Sequence, residues 1–216
     1  MPPFPWRLVT VDIDGTLTLG HGWREIAVAF GRVPDYEASN RRFFARAAGE
    51  DEHLYDLLDL ATGRTVAEVE AVLARTPMLG GIAEGLGELH AAGARTALLT
   101  HNPTYVIDYY RRTFGFDDGE GVRVGTTDDG RIEPPTGVHA DKLGGLRALL
   151  ARAGVAARTV AHVGDGWADA EVFRAVGGGV ALNSSLHEVN AAADRALRTR
   201  DFRDVVRALE TLTPRT

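Results

Sequence analysis

The sequence lacks cysteine altogether and contains no long apolar run. Without cysteine, disulfide frameworks and thiolate metal sites are excluded. No apolar stretch approaches the roughly 18–20 residues that a membrane-spanning helix requires, so we predict that the protein has no membrane partner. The N-terminal segment does not show the charged-then-apolar order of a secretory signal, and a cytoplasmic location is the simplest expectation.

Clustered positive charge is also missing. The net charge is −6 over 216 residues, and charges of both signs are scattered along the chain. Binding to nucleic-acid phosphates requires a basic face, so we predict no nucleic-acid partner. The length is sufficient for one hydrophobic core, or for a core that carries a smaller insert. A homodimer is expected from the base rates of soluble enzymes alone.

Lysine is nearly absent, since Lys142 is the single lysine among 24 lysine and arginine side chains. A compact ammonium group and a planar guanidinium group are not interchangeable at a tight phosphate or carboxylate site. Lys142 therefore either occupies a position where arginine cannot replace it, or persists by chance as a solvated charge on the surface.

The order of strand and helix patterns predicts an α/β fold with a Rossmann-like parallel sheet and helices on both faces. A short β-branched run, Leu8–Val11, predicts a buried strand. After it the pattern becomes helical, and the alternation of strands and helices resumes near residue 79. We therefore predict a core domain of residues 1–18 and 79–216, with a small helical cap of residues 19–78 inserted after the first strand.

The individual elements follow from the same patterns. The predicted helices of the cap are Trp23–Phe30, Tyr36–Ala48, Glu52–Ala61 and Val66–Ala74. The predicted helices of the core are Ile82–Ala92, Thr104–Phe114, Asp141–Ala153, Asp169–Ala175 and Phe202–Leu212, and its further strands are Arg95–Leu99, Thr159–Val163 and Gly179–Leu182, with a short hairpin around residues 128–130.

Polar side chains follow three of the predicted strands, at the point where each strand ends. The first strand is followed by Asp12 and Asp14, the second by residues 100–102, and the third by Asp165 and Asp169. In open parallel sheets, ligands bind beyond the carboxyl ends of the strands. We therefore expect these side chains to converge on one functional site.

The first of these segments carries two carboxylates at positions i and i+2, which project to the same side of an extended chain. Asp12 and Asp14 repel each other unless a cation lies between them, and magnesium is typical where a phosphate completes the ligand shell. Gly15 allows the sharp turn that follows. The alternative is an ordinary polar turn after a strand.

The other two segments also allow two interpretations each. Thr100 and the amides behind it form a phosphate cradle at a helix N-terminus, or Thr100 and Asn102 are cap and turn residues. Asp169 is favourable in the first turn of a helix for structural reasons alone. Asp165 lies between two glycines and is better explained as a metal ligand.

Taken together, these segments resemble the haloacid dehalogenase (HAD) superfamily of phosphatases, and within it the phosphoserine-phosphatase-like branch. Residues 12–16 (Asp-Ile-Asp-Gly-Thr) match the first motif of the family, residues 98–100 (Leu-Leu-Thr) the second, Lys142 the third, and residues 164–169 (Gly-Asp-Gly-Trp-Ala-Asp) the fourth. The helical insert lies between the first and second motifs, where that branch carries its cap.

The resemblance implies a magnesium-dependent phosphatase that hydrolyses small phosphomonoesters through a phosphoryl-aspartate. Asp12 would be the nucleophile, and Asp14 the general acid and then the general base. Thr100 and Lys142 would hold the phosphoryl group. The implied Mg²⁺ ligands are Asp12, Asp14 through its carbonyl group, and Asp165, with Asp169 in support; the further phosphate- or substrate-binding residues are Thr16, His101 and Asn102.

The sequence departs from the phosphoserine-phosphatase pattern mainly in the cap. His21 occupies the position of a cap glutamate, and Phe43 that of a substrate-binding arginine, with Arg41 and Arg42 beside it. His101 and Asn102 replace two glycines, and Ala168 replaces an asparagine. We therefore expect a small phosphomonoester other than phosphoserine.

The roles of the cap residues stay open at the level of the sequence. His21 contacts the substrate or is a solvated loop residue. Arg41 and Arg42 contact the substrate or belong to a solvated helix face. Trp23 and Trp167 belong to the core or form a wall of the site, and His139 and His162 are interpreted as packing or surface residues.

Two other functions use the same residues. A phosphotransferase or phosphomutase would pass the phosphoryl group to a hydroxyl group instead of water, depending on how the cap excludes water. A non-catalytic protein that binds magnesium or phosphate has little need for both Asp12 and Asp14. The second carboxylate thus favours turnover.

Overall fold

The computed structural model describes residues 4–215. Its centre is a six-stranded sheet in which all neighbouring strands are parallel. The strands are β1 (Leu8–Val11), β2 (Arg95–Pro103), β3 (Asp118–Val122), β4 (Val160–Gly164), β5 (Gly178–Leu182) and β6 (Arg195–Leu197), and their order across the sheet is β3-β2-β1-β4-β5-β6. The predicted parallel α/β fold is confirmed.

Helices connect the strands and cover the sheet. Those between β1 and β2 are α1 (Gly22–Ala29), α2 (Val33–Phe44), α3 (Glu50–Asp59), α4 (Val66–Leu73) and α5 (Ile82–Ala91). Those that follow β2 are α6 (Thr104–Phe114), α7 (Lys142–Ala153), α8 (Trp167–Ala175), α9 (His187–Ala192) and α10 (Phe202–Thr211). Within residues 4–215, none of the helices has the length and apolar character needed to cross a membrane.

The position of β1 determines where the polar residues emerge. All four of its residues are buried, and it lies between β2 and β4, with Val11 opposite Leu98 and Val163. Because the three strands are parallel, their carboxyl ends reach the same edge of the sheet. Residues 100–102 form the last part of β2, which extends to Pro103 and does not end at Leu99 as predicted, and they lie beside the residues that follow β1 and β4.

Among the strands and α-helices of the structure, three were not predicted from the sequence. The sequence of β3 is Asp-Gly-Glu-Gly-Val, which contains no apolar run, and β6 and α9 have only three and six residues. Both β3 and β6 are edge strands, and their pairing with a neighbour, not their own composition, makes them strands. In addition, α2 ends at Phe44, before the predicted end at Ala48.

We call residues 19–78 the cap segment; their assignment to a separate domain stays a prediction. The chain enters and leaves this segment through two short stretches, and these two stretches pair with each other. Thr18 and Met78 form an antiparallel bridge, and the amide of Leu19 donates to the carbonyl of Pro77 at 2.8 Å. Helices α1–α4 thus begin and end at one place above the carboxyl edge of the sheet.

Candidate active site

The site begins at the buried carboxylate of Asp12, directly after β1. The ammonium group of Lys142, the first residue of α7, donates to Asp12 Oδ1 at 2.9 Å and to Asp169 Oδ1 at 2.6 Å. Burial alone would lower the pKa of Lys142, but attraction to the two carboxylates outweighs it and raises the pKa. Lys142 is therefore charged and fixed between two acids.

The remaining contacts of Asp169 explain its orientation. Its Oδ1 also accepts a hydrogen bond from His162 Nε2 at 2.8 Å, and its Oδ2 accepts from the amides of Asp165 and Gly166 at 3.0 and 2.9 Å. Burial favours the protonated acid, but Lys142 and His162 outweigh it and lower the pKa of Asp169. Both oxygens are occupied, so Asp169 orients Lys142 and the loop after β4.

His162 completes a buried chain of polar contacts behind the site. Its ring is fully buried on β4, and its Nδ1 lies 2.9 Å from the hydroxyl of Thr10 on β1. The sequence-based interpretation of this side chain as a packing or surface residue misses these contacts. A polar residue inside an otherwise apolar strand is the signal that could have revealed them, because buried polar groups need partners.

The carboxylates of Asp12, Asp165 and Asp169 provide ligand atoms within 4.8 Å of one another. Burial raises the pKa of Asp12 to about 7 despite the attraction of Lys142, and burial together with Asp12 raises that of Asp165. Three clustered acids thus face the single ammonium of Lys142. This excess of negative charge on hard oxygen ligands suits a divalent cation such as Mg²⁺.

Gly15 brings the first and third acidic segments together. Its φ of +75° lies in the left-handed region, and a Cβ atom there would be 2.3 Å from Asp165 Oδ2. Only glycine permits both the turn and this close approach. Thr16, predicted to bind phosphate, instead donates its hydroxyl to Asp165 Oδ1 at 2.9 Å and orients that carboxylate.

Asp14 lies on the side of the site that faces the cap segment. Its Oδ1 accepts a hydrogen bond from the amide of Gly22 at the start of α1, and its Oδ2 accepts from Asn102 Nδ2 at 2.8 Å. The same amide group of Asn102 donates to the hydroxyl of Thr100 at 3.0 Å. The core and the cap segment therefore both hold Asp14 in place.

His101 follows Thr100 and lines the same cavity. Burial, reinforced by Lys142, lowers the pKa of His101 to about 4, so the ring is neutral at pH 7. Its Nε2 atom is buried and has no hydrogen-bond partner among residues 4–215. His101 thus supplies an unused polar atom beside the predicted phosphate position.

A cavity of about 640 Å³, here called the main cavity, opens above these residues. Asp12, Asp14, Asp165 and Lys142 line one end of it, and residues of α1, α2 and α3 line the other. This volume lies in the range of roughly 300–1,000 Å³ that is typical of small-molecule sites.

The structure brings most of the predicted site residues to the main cavity. Those that line it are Asp12, Asp14, His21, Thr100, His101, Asn102, Lys142, Asp165 and Asp169. Arg41 and Arg42 do not line it. Arg42 forms ion pairs with Glu52 and Asp56 of α3, and Arg41 lies on the exposed face of α2 near Glu37.

The aromatic residues next to these arginines line the cavity instead. Phe43 and Phe44 belong to its wall, as do Trp23 and Trp167. The sequence offered no signal for Phe44, because successive residues of a helix point about 100° apart and packing decides which of them faces inward. Glu50 and Asn183 also line the cavity and were not singled out from the sequence.

Comparison with known proteins agrees with this geometry. A search of curated proteins found a phosphoserine phosphatase from Archaeoglobus fulgidus, 24% identical over 181 residues that cover 82% of this chain. That alignment covers 53% of the archaeal protein, so the chain spans about half the length of the curated relative it matches.

Two solved structures share the fold over nearly the whole chain. A HAD family hydrolase from Salmonella enterica serovar Typhi superimposes with a TM-score of 0.87 at 19% identity, covering 99% of this chain and 74% of that one. A phosphoserine phosphatase, solved as an analogue of its phospho-aspartyl intermediate, gives a TM-score of 0.79 at 20% identity, covering 94% and 98%. The sequence profile of the haloacid dehalogenase-like hydrolases matches residues 6–177, and the chain therefore belongs to this family.

Proposed function

We propose that the protein is a magnesium-dependent phosphatase that hydrolyses small phosphomonoesters through a phosphoryl-aspartate at Asp12. The observation that carries the proposal is that two carboxylates at one end of the main cavity are held by different partners. Asp12 is held by Lys142 in the core, whereas Asp14 is held by Gly22 and Asn102 on the side of the cap segment. A nucleophile and a separate acid–base group require this arrangement.

The first step forms a bond between a carboxylate oxygen of Asp12 and the phosphorus of the substrate and breaks the bond to the ester oxygen. Lys142 offsets negative charge on the phosphoryl oxygens, and the hydroxyl of Thr100 and the ring of His101 are close enough to the same end of the cavity to bind them. Since Asp169 and His162 fix Lys142 and its partners, the charge needs no rearrangement during the reaction.

Asp14 moves the protons in both steps. Protonated Asp14 donates to the departing alkoxide, and the resulting carboxylate then accepts a proton from the water that attacks the phosphoryl-aspartate. The second step breaks the bond between Asp12 and phosphorus and restores both side chains. Asn102, which donates to Asp14 Oδ2, keeps the carboxyl group directed at the position of the leaving oxygen.

Asp12, Asp165 and the backbone carbonyl group of Asp14 would hold Mg²⁺, which supplies charge stabilisation for the phosphoryl group when it is bound. Thr16 and Gly15 set the position of Asp165 for this role. Two relatives support the same chemistry for this chain: the archaeal protein is a phosphoserine phosphatase, and the phosphoserine phosphatase of similar fold was solved as a phospho-aspartyl analogue. A cytoplasmic location and a homodimer stay predictions.

The test is phosphate release from a panel of phosphomonoesters, with and without Mg²⁺, by the wild type and by Asp12→Asn. We expect release that requires Mg²⁺ and that Asp12→Asn abolishes. Brief incubation with a ³²P-labelled substrate should label the wild-type chain with a hydroxylamine-sensitive phosphoryl group, and Asp12→Asn should stay unlabelled. Folded protein that releases no phosphate from any member of the panel would contradict the proposal.

The same assay separates hydrolysis from transfer. With glycerol or another alcohol present in excess, a phosphatase releases inorganic phosphate as its main product. A phosphotransferase forms the new phosphate ester instead. Such a result would show that a hydroxyl group, and not water, accepts the phosphoryl group, and it would leave the role of Asp12 unchanged.

A further inference from the structure

Five aromatic side chains line the main cavity, and we call them the aromatic wall: Trp23, Tyr36, Phe43, Phe44 and Trp167. The ring of Trp167, at the start of α8 in the core, lies with its centroid 5.9 Å from that of Phe43 and 6.0 Å from that of Phe44. The wall therefore draws its rings from both the cap segment and the core.

Part of this wall faces solvent. The side chain of Phe44 is 62% exposed and that of Trp167 is 37% exposed. Single exposed apolar residues are ordinary, but adjacent rings at the mouth of a cavity form a contiguous apolar surface of the kind that marks binding sites. A ligand with an apolar surface would cover these rings and remove them from water.

The charges that the cap segment contributes to the cavity disfavour a second anionic group of the substrate on that side. No lysine or arginine of the cap segment, all of whose residues the structure describes, lines the cavity, and its two nearest candidates, Arg41 and Arg42, lie elsewhere on α2. The cap segment instead contributes Glu50, at the start of α3. The arginine that does line the cavity, Arg200, belongs to the segment between β6 and α10.

The size of the cavity leaves room beyond the phosphoryl group. Its volume of about 640 Å³ corresponds to roughly twenty water molecules, at about 30 Å³ each. In the proposed mechanism, the phosphoryl group would occupy only the part of this volume next to Asp12 and Lys142. The rest of the space is open to an organic group the size of a ring system.

We propose that the substrate is a phosphomonoester whose alcohol part is an uncharged, apolar group containing a ring, bound against the aromatic wall. The proposal rests on the proposed function, because it assigns the phosphate to the Lys142 end of the same cavity. Apolar area and ring-to-ring contact provide the affinity. The absence of an arginine from the part of the lining that the cap segment provides, together with the presence of Glu50, selects against substrates that carry a carboxylate.

The test compares phosphate esters of primary alcohols, whose leaving groups are similar: 2-phenylethyl phosphate, ethyl phosphate, phosphoserine and phosphocholine. We expect kcat/KM for 2-phenylethyl phosphate to exceed that for ethyl phosphate about 10- to 100-fold, the range expected for burying one phenyl ring. The other two compounds should rank with ethyl phosphate. A preference for phosphoserine, or for the cation of phosphocholine, would overturn the proposal.

Variants identify the surface responsible. Phe44→Ala should lower the ratio of kcat/KM for 2-phenylethyl phosphate to that for ethyl phosphate about 3- to 10-fold, and the double variant Phe43→Ala/Phe44→Ala should lower it further. Because Phe44 is already largely exposed, its removal does not threaten folding. Tyr55→Ala, an exposed aromatic residue of α3 outside the cavity lining, is the matched control and should leave the ratio unchanged. An unchanged ratio in both phenylalanine variants would refute the aromatic wall.

Binding of phosphonates separates this inference from the proposed function. Calorimetry with wild-type protein and Mg²⁺ should show 2-phenylethylphosphonate, whose P–C bond is not hydrolysed, binding at least tenfold more tightly than ethylphosphonate. If no ester is hydrolysed but this preference holds and Phe44→Ala removes it, the aromatic wall stands and the phosphatase proposal fails. If esters are hydrolysed but the phenylethyl compounds are not preferred over the ethyl compounds, the proposed phosphatase function is supported and the proposed role of the aromatic wall is refuted.

Discussion

The two ends of the main cavity differ in every physical property that matters for binding. At the sheet end, Asp12, Lys142 and Asp169 are buried, ionisable and joined by hydrogen bonds of 2.6 and 2.9 Å. At the cap end, Phe43 and Phe44 make van der Waals contacts and Phe44 is mostly exposed. We therefore expect the hydrogen-bonded residues of the sheet end to tolerate almost no substitution. The aromatic residues of the cap end should tolerate substitution more readily.

From this contrast we expect the sheet end to determine the chemical step and the cap end to determine which substrates are preferred. Buried charges are costly unless each is paired, so the sheet end has one arrangement that satisfies all its members. Apolar contacts are non-directional, so the cap end can accept related rings without a new set of partners. Substitutions at the sheet end should therefore reduce turnover of every substrate, and those at the cap end should change the ranking among substrates.

After the loss of the nucleophile in Asp12→Asn, the largest effect should come from Asp14→Asn, because it removes the acid–base group and preserves its shape. We expect kcat to fall about 10²- to 10⁴-fold for alkyl phosphates such as 2-phenylethyl phosphate. An aryl phosphate with a good leaving group should lose less in the first step, since its alkoxide needs no proton. Steady-state and burst kinetics on both ester types would reveal this difference, and an equal loss for both types in the first step would argue against a role for Asp14 as general acid.

A smaller but still large loss of kcat/KM should come from replacing the basic residue of the sheet end with the other basic residue type. The matched replacement in the cap segment should have almost no effect. Lys142→Arg places a planar fork where one ammonium bridges two buried carboxylates, and should reduce kcat/KM at least about 100-fold. The matched change in the cap segment, Arg42→Lys, affects an exposed ion pair and should alter kcat/KM less than about twofold. Comparable losses in the two variants would break the contrast between the ends.

Two histidines provide the next comparison. His162→Ala removes a fully buried ring that joins Thr10 to Asp169, and should lower the free energy of unfolding by about 2–3 kcal/mol. His53→Ala removes a cap residue that stacks on Phe43 at 4.3 Å and should cost about 1 kcal/mol. Urea denaturation of both variants measures the difference, and a larger cost for His53 would contradict the assignment of rigidity to the sheet end.

The smallest predicted effect concerns pH and Asp12. Its pKa is raised by burial to about 7 in the folded protein, so the charged form destabilises the fold as pH rises through 7. Without Mg²⁺, the wild type should therefore lose about 1 kcal/mol of stability relative to Asp12→Asn between pH 6 and pH 8. Denaturation at both pH values gives the difference between the two proteins and cancels the titration of other groups.

Mg²⁺ provides the control for this measurement. An ion that binds charged Asp12 in the folded state should stabilise the wild type and reverse its disadvantage at pH 8, and it should have little effect on Asp12→Asn. A difference between the two proteins that does not depend on pH would show that Asp12 is ionised in the metal-free protein throughout this range.

The same contrast explains how much of the molecule could be predicted. The sheet end follows from local patterns, because short apolar runs predict β1, β2 and β4, and the polar residues at the carboxyl ends of these strands must meet at one edge of the sheet. Composition alone left Lys142 open, either at a position where arginine cannot replace it or as a solvated charge on the surface. Its burial between Asp12 and Asp169 excludes the solvated charge.

The remaining features depend on packing that no local pattern encodes. Residues 41–44 read as two arginines followed by two phenylalanines, and the packing of α2 against α1 and α3 places the phenylalanines at the cavity. Likewise, β3 is a strand because β2 pairs with it, although its own sequence is typical of a turn. The sequence misleads at His162 because its partners, Thr10 and Asp169, come from other elements.

The pairing of Thr18 with Met78 has a consequence for how such proteins diversify. The chain leaves the core after Thr18 and re-enters it at Met78, just before α5, with Leu19 and Pro77 joined by a hydrogen bond of 2.8 Å. The helices between these positions are therefore inserted into the core at a single place, and another segment whose ends lie side by side could be connected there. A segment exchanged at this junction would bring its own wall for the substrate, but it would also have to present an amide to Asp14 as Gly22 does. Recombination here is therefore open only to segments that preserve this contact.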